Sequence, residues 1–163
     1  MSSKEFSLDF LDNLSLCALS SQRGRKNFNL HHEYAEPCQR LFNAIGVDSY
    51  IHPHRHMQDP KRETLIAVRG MFALVIFDEV GRIKRFFKFG TEKFLAKGVF
   101  TVGVELSPDV WHTVIALIGD SILLEVKSGP FVPATAKELA PWAPKEGTND
   151  SVNYLNQLKL KIK

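Results

Sequence analysis

Residues 64–89, TLIAVRGMFALVIFDEVGRIKRFFKF, decide the fold. TLIAVRG and MFALVIF are apolar and rich in β-branched and aromatic side chains, a composition that suits pleated, buried surfaces. Gly70 separates them, DEVG at 78–81 reads as a turn, and RIKRFFKF returns from it as the second arm of a hairpin. Further on, GVFTVGVEL, WHTVIAL and SILLEV repeat the pattern, separated by Ser107-Pro108-Asp109 and by Gly119-Asp120. Strand after strand with short polar turns predicts a mainly β protein, a sandwich or barrel.

Upstream of these strands the signals change. Residues 8–20 read as a short amphipathic helix with Leu11, Leu14 and Ala18 on one face. SQRGRKNFNLHH then alternates, setting Arg23, Arg25, Asn27, Asn29 and His31 in one polar row, as an extended edge segment would. A second helix is expected after Pro37: Cys38, Leu41, Phe42 and Ile45 form a stripe, and Gly46 suits the stop. Downstream of Val126, the prolines and glycine of LAPWAPKEG exclude regular structure, and Val152, Leu155, Leu158 and Ile162 predict a C-terminal helix docked outside the barrel. The expected organisation is one domain: helices and edge segment over 1–48, a barrel over 49–131, and a Pro-rich segment with a helix over 132–163.

Composition narrows the function. The 163 residues are 44% hydrophobic and 24% charged, ordinary for a soluble globular domain with a real core. Net charge is only +3 and the basic residues are spread along the chain, which disfavours nucleic acid as a partner. Cys17 and Cys38 form no CxxC pair, and both fall in segments read as helices, where Cys38 is expected to be a buried thiol. Acidic residues interrupt the N-terminus where a signal peptide needs an apolar run, and no segment approaches a membrane span, so the expected location is the cytoplasm.

The chemistry concentrates in YIHPHRHMQDPKRETLIAVRG, residues 50–70. His52, His54 and His56 alternate, so an extended strand would place them on one face, where imidazoles can converge on a metal. Glu63 follows after a polar loop and can supply an oxygen ligand, and His112 lies downstream just past a turn. A mixed set of imidazoles and one carboxylate suits one divalent transition metal, among manganese, iron, nickel, copper and zinc, with positions left for water or substrate. The bland alternative is a solvated polar strand face. Spacing alone leaves open which two of the three histidines bind.

These segments resemble the two signature motifs of the cupin superfamily. The first runs from a glycine through HxH to a glutamate and, six residues further, a second glycine; Glu63 and Gly70 keep that last interval. Gly46 with His52 and His54 fits the upstream spacing, whereas His54 and His56 leave the shorter gap to Glu63. In the second motif, P-x-G-x-x-H with an asparagine four residues on, Ser107, Asp109 and His112 occupy the proline, glycine and histidine positions, and Ala116 replaces the asparagine. Aspartate accepts a left-handed turn better than most residues, and Pro108 supplies rigidity one position late.

Over most of its length the chain is similar to the WbuC family of cupin-fold metalloproteins, through RGRKNFNLH, EPCQRLFNAI, PHRH, LSPDVWHT, LEVKSGPF and LAPWAPKEG. The resemblance implies a cupin jelly-roll β-barrel (double-stranded β-helix) with short flanking α-helices at both termini, and one divalent metal held by His54, His56, Glu63 and His112. Members occur with bacterial surface-polysaccharide (O-antigen) genes, which points to a metal-dependent role in sugar metabolism. A sugar isomerase or epimerase is the first expectation. A small-molecule dioxygenase and a non-catalytic metal or sugar sensor are the alternatives, because fold alone does not decide between enzyme and binding protein. The implied partner is a small molecule, a sugar or sugar nucleotide, and cupins commonly form homodimers through strand edges.

The remaining candidates each have two readings. His52 is expected beside the ligands or at the pocket mouth. Trp111 is a pocket wall or core packing. Glu125 and Lys127 alternate with Leu124 and Val126, so they face either solvent or a polar barrel interior. Arg23, Arg25, Asn29 and His31 either shield a sheet edge or rim the pocket for an anion such as a sugar-nucleotide phosphate. No GxGxxG, P-loop or nucleophile-elbow pattern is present, which disfavours nucleotide and serine hydrolase chemistry.

Overall fold

In the computed structural model, which describes residues 3–99 and 101–162, the chain begins with helix α1 (Leu8–Leu19) and closes with helix α2 (Asn149–Lys161). Between them run β1 (Arg25–Asn29), β2 (Cys38–Ile45), β3 (His54–Arg55), β4 (Glu63–Arg69), β5 (Met71–Phe77), β6 (Ile83–Gly90), β7 (Gly103–Leu106), β8 (His112–Ala116), β9 (Ser121–Ser128) and β10 (Glu138–Leu139). They form two five-stranded sheets, β1-β2-β9-β4-β7 and β10-β3-β8-β5-β6, in which every pairing is antiparallel. This is the mainly β architecture that the strand runs predicted and the jelly roll that the cupin resemblance implied, with one helix at each end.

Three apolar layers hold it together. Ile45, Leu65, Phe72, Leu74, Phe89, Leu106, Val114 and Leu123 come from both sheets and fill the space between them. Helix α2 lays Leu155 and Leu158 on the outer face of the second sheet, against Ala73, Val75, Phe77 and Ile115. Helix α1 lays Leu11, Leu14 and Ala18 against Phe42, Ala44 and Ile122 on the outer face of the first. Strands β5 and β8 are therefore buried on both faces, which is why MFALVIF and HTVIA read as continuous apolar runs. Both helices begin at hydroxyl caps: Ser7 accepts from the Phe10 amide and Thr148 from the Ser151 amide.

The segment after Pro37 is not a helix. Residues 38–45 form β2, paired with β1 on one side and β9 on the other, and Cys38 is exposed at its start. The error has a physical cause. Phe42 and Ala44 face α1 while Ile45 faces the barrel interior, so apolar residues occupy both faces and the period of two disappears. The remaining Leu41–Phe42–Ile45 pattern then imitates a helical stripe.

Gly70, between β4 and β5, adopts φ +80°, and a Cβ there would lie 2.2 Å from Ser121 Oγ and 2.7 Å from Ser121 Cα. No L side chain fits such an approach without backbone movement. Gly70→Ala is expected to lower stability by roughly 2 kcal/mol or more, measured by denaturant unfolding; an unchanged midpoint would contradict the close β4–β5–β9 packing. The hairpin turn predicted at DEVG is made by Asp78, whose Oδ1 accepts from the amides of Val80 (3.0 Å) and Arg82 (2.9 Å).

Candidate metal centre

His54 and His112 are direct cross-strand partners in β3 and β8, so both imidazoles reach the same face of the second sheet. His56, two residues beyond His54, keeps to that side, and its amide donates to the Pro108 carbonyl at 2.8 Å. Arg55 points the other way. Its guanidinium grips the Glu138 carboxylate of β10 through two bonds of 2.8 and 2.9 Å and lies 4.3 Å from the Trp111 ring. Arg55 thus clamps the histidine strand from outside, in the planar two-bond geometry that arginine favours. Glu63 comes from the first sheet, as the first residue of β4, with Lys127 opposite it on β9.

One donor atom from each of His54, His56, Glu63 and His112 lies within 4.8 Å of the others, and all four residues are buried. Their orientation is set by the backbone. His54 Nδ1 lies 2.9 Å from the His52 carbonyl, His112 Nδ1 2.9 Å from the Val110 carbonyl, and His56 Nδ1 2.7 Å from the Ala136 carbonyl. A ring that donates from Nδ1 to a carbonyl keeps a lone pair on Nε2, the tautomer that binds metals. Glu63 Oε2 lies 3.4 Å from His56 Nε2 and 3.3 Å from His112 Nε2. Donors about 2.1 Å from a central ion are separated by about 3.0 Å along an octahedral edge and about 3.4 Å along a tetrahedral one. The donor chemistry and spacing both fit a divalent cation, so this buried group could hold one.

Lys127 adds a choice of protonation. Its Nζ lies 2.7 Å from His56 Nδ1 and 3.8 Å from Glu63 Oε1. If His56 Nδ1 accepts from Lys127, Nε2 carries the proton and donates to Glu63. If Nδ1 donates to Ala136, Nε2 is free for a metal. Burial and the cluster's own hydrogen bonds set its charges in the metal-free protein. Burial, then the nearby Lys137 and His112 charges, hold His54 well below the usual imidazole range, hence neutral. Burial pushes the Glu63 carboxyl up, but hydrogen bonds from His112 and His56 outweigh it and leave Glu63 well below the usual carboxylate range. Glu125 behaves oppositely: burial and then the Glu63 charge push it up to about 8.

Two small chambers adjoin the cluster and share Glu125 and Lys137 in their walls. The inner, about 30 Å³, is walled by Ile45, Ile51, Leu65, Val114 and Leu123 around His54, Glu63 and His112. The outer, about 110 Å³, is lined by Asn27, Asn29, His31, Tyr34, Lys127 and Phe131, and Glu125 and Lys137 border both. Glu125 and Lys127 thus face the interior and not solvent, because β9 lies in the middle of its sheet and turns this face to the barrel.

The polar row before β2 divides. Asn29 and His31 line the outer chamber, whereas Arg23 and Arg25 bind the Glu146 carboxylate at 2.8 and 2.7 Å and line neither chamber. His52 stands apart from the donor cluster, its Nε2 3.0 Å from the Ala140 carbonyl. Trp111 is core packing beneath α2, with Nε1 donating to Glu79 at 3.0 Å. Lys137 was not legible in the sequence. It sits in a loop between short elements, where no periodicity assigns a side chain to any face.

Comparison with known proteins agrees with this architecture. Solved structures similar to the chain include oxalate oxidase in complex with the substrate analogue glycolate, at TM-score 0.55 and 11% identity over 99% of this chain and 79% of that one. A cupin-2 domain protein from Rhodospirillum rubrum aligns at TM-score 0.53 and 11% identity over 84% and 81% of the respective chains. A protein from Shewanella oneidensis aligns at TM-score 0.54 and 10% identity over 73% and 75%. At these identities the likeness establishes the cupin fold alone. No curated protein sequence matches the chain. No helix among the described residues is long and apolar enough to cross a membrane. The family described as domain of unknown function DUF6016 matches residues 6–89, and the chain, folded as a cupin, belongs to that family.

Proposed function

We propose that the protein binds one divalent transition metal through His54, His56, Glu63 and His112 and catalyses proton transfer on a small oxygenated ligand, as a sugar isomerase or epimerase of surface-polysaccharide metabolism does. The observation that carries this reading is the convergence of three buried imidazoles, each with Nδ1 beside a backbone carbonyl, on one carboxylate. When bound, a divalent cation supplies Lewis-acid polarisation of a ligand oxygen. The chain's own contribution is the acid–base group. Glu125, which borders both chambers beside the cluster, takes and returns the proton. The apolar inner chamber excludes bulk water from that exchange. The similarity to WbuC proteins supports the polysaccharide context.

The test is exchange of solvent deuterium into the carbon beside the carbonyl of short aldoses and ketoses, followed by NMR with metal-loaded protein. Exchange is expected in the native protein and should fall by about a hundredfold or more in Glu125→Gln, with metal content unchanged. Absence of exchange, together with oxygen consumption by iron-loaded protein, would move the assignment to a dioxygenase.

A further inference from the structure

The outer chamber has a composition that neither the metal ligands nor the acid–base group requires. Lys127 and Lys137 both border it, and Lys137 makes no ion pair or hydrogen bond among the described residues. Lys137 lines both chambers, so its side chain stands where the two adjoin, beside Glu125. His31 is buried, and its Nδ1 is engaged by Arg40, 2.9 Å from the carbonyl and 3.1 Å from the amide, so Nε2 is the ring atom left for a ligand, and it donates in the tautomer whose Nδ1 accepts the amide. Asn27 Nδ2 donates to Asn29 Oδ1 at 2.9 Å, which holds that oxygen and leaves the Asn29 amide N–H groups to donate.

Donors and positive charge therefore predominate around this chamber. The two chambers together hold roughly five water-sized groups, far less than the 300 Å³ or more of a typical drug-sized pocket. A sugar nucleotide does not fit inside, and Arg23 and Arg25, for which a phosphate-binding rim was one of two readings, are committed to Glu146.

The geometry points to a carboxylate-binding chamber, in which Lys137, with His31 and Asn29, receives the carboxylate of a short hydroxy or oxo acid whose other oxygen reaches the His54–His56–Glu63–His112 cluster. This deepens the proposed function by naming the ligand class, and it rests on that reading only for the second oxygen. Lys127 stays with Glu63, whereas Lys137, exposed and without an ion pair or hydrogen bond among the described residues, is free to close over the entering anion. An ammonium paired to a carboxylate in a confined site is a charge-assisted bond, stronger than a neutral one.

Isothermal titration of the metal-loaded full chain compares glycerate with glycerol and lactate with 1,2-propanediol, each pair differing in the carboxylate. The acids are expected to bind and the neutral alcohols to bind at least tenfold more weakly. Lys137→Ala should weaken acid binding by about tenfold without changing metal content or melting temperature, and Lys137→Arg should restore most of it. Equal affinity for acids and alcohols, or an unaltered affinity in Lys137→Ala, overturns the inference. Should the protein take up no metal, the metal-site reading fails separately. The same titration on metal-free protein then decides the chamber: Lys137-dependent preference for acids upholds it and loss of that preference overturns it.

Discussion

His112→Ala protein is expected to lose stoichiometric metal binding, and His54→Ala and His56→Ala to do the same. Each ring contributes one of the four converging donors, and each is buried, so no solvent-exposed group can swing in to replace it. The loss should exceed the 10–100-fold that changes to supporting residues typically bring. His52→Ala is the control. Its imidazole meets the Ala140 carbonyl, and only its backbone carbonyl touches His54, so the alanine variant keeps one equivalent with at most a partial loss of affinity. Full occupancy in His112→Ala would remove the four-donor description.

Metal removal should produce the largest change in stability. The donors come from both sheets, so a bound ion holds only the folded state and its binding free energy adds to folding. An ion present at a thousand times its Kd contributes about 4 kcal/mol, which for a chain of this size corresponds to about 10 °C in Tm. Chelation at neutral pH should therefore lower Tm by about that amount and leave a folded protein, because the three apolar layers do not involve the metal. Identical melting curves before and after verified metal removal would contradict the coupling.

Acid should act in the same direction. His54 is neutral in the folded state below its ordinary pKa, so the unfolded chain binds more protons there, and stability falls as pH drops below about 6.5. Glu63, also depressed, continues the loss as pH falls through and below the ordinary carboxylate range. Glu125 has the opposite sign. Its raised pKa, about 8, means that the folded metal-free protein binds more protons than the unfolded chain, so this contribution is present in acid and is lost as pH rises towards 8. Metal-free Glu125→Gln protein should accordingly be more stable than native metal-free protein at pH 9, and a lower Tm for the variant there would show that the carboxyl is not confined.

Much of this was legible in the residues. β5, β6, β8 and β9 announced themselves because apolar β-branched runs bounded by Gly70, Asp78–Gly81 and Gly119–Asp120 have few other uses. Helix α2 was visible in Leu155, Leu158 and Ile162, all of which are buried. Strand β2 was hidden by α1, since a strand covered on both faces carries no alternation to detect. That strand histidines would join His112 and Glu63 was visible in the spacing, because β3–β8 pairing converts sequence distance into contact, whereas the choice of His54 and His56 over His52 came from the family resemblance. Which neighbours surround that group was not. Glu125 and Lys127 look like solvated strand charges until the central position of β9 is known, and Lys137 depends on where a loop falls.

X-ray absorption spectroscopy of tag-free protein loaded with one equivalent of metal tests the central claim most directly, because it counts the imidazoles around the ion. The predicted spectrum has three imidazole rings together with oxygen donors, all at about 2.1 Å, and His112→Ala lowers the ring count or leaves the metal in solution. A spectrum without imidazole scattering, or one dominated by sulfur from Cys17 or Cys38, would contradict a centre built from His54, His56, Glu63 and His112.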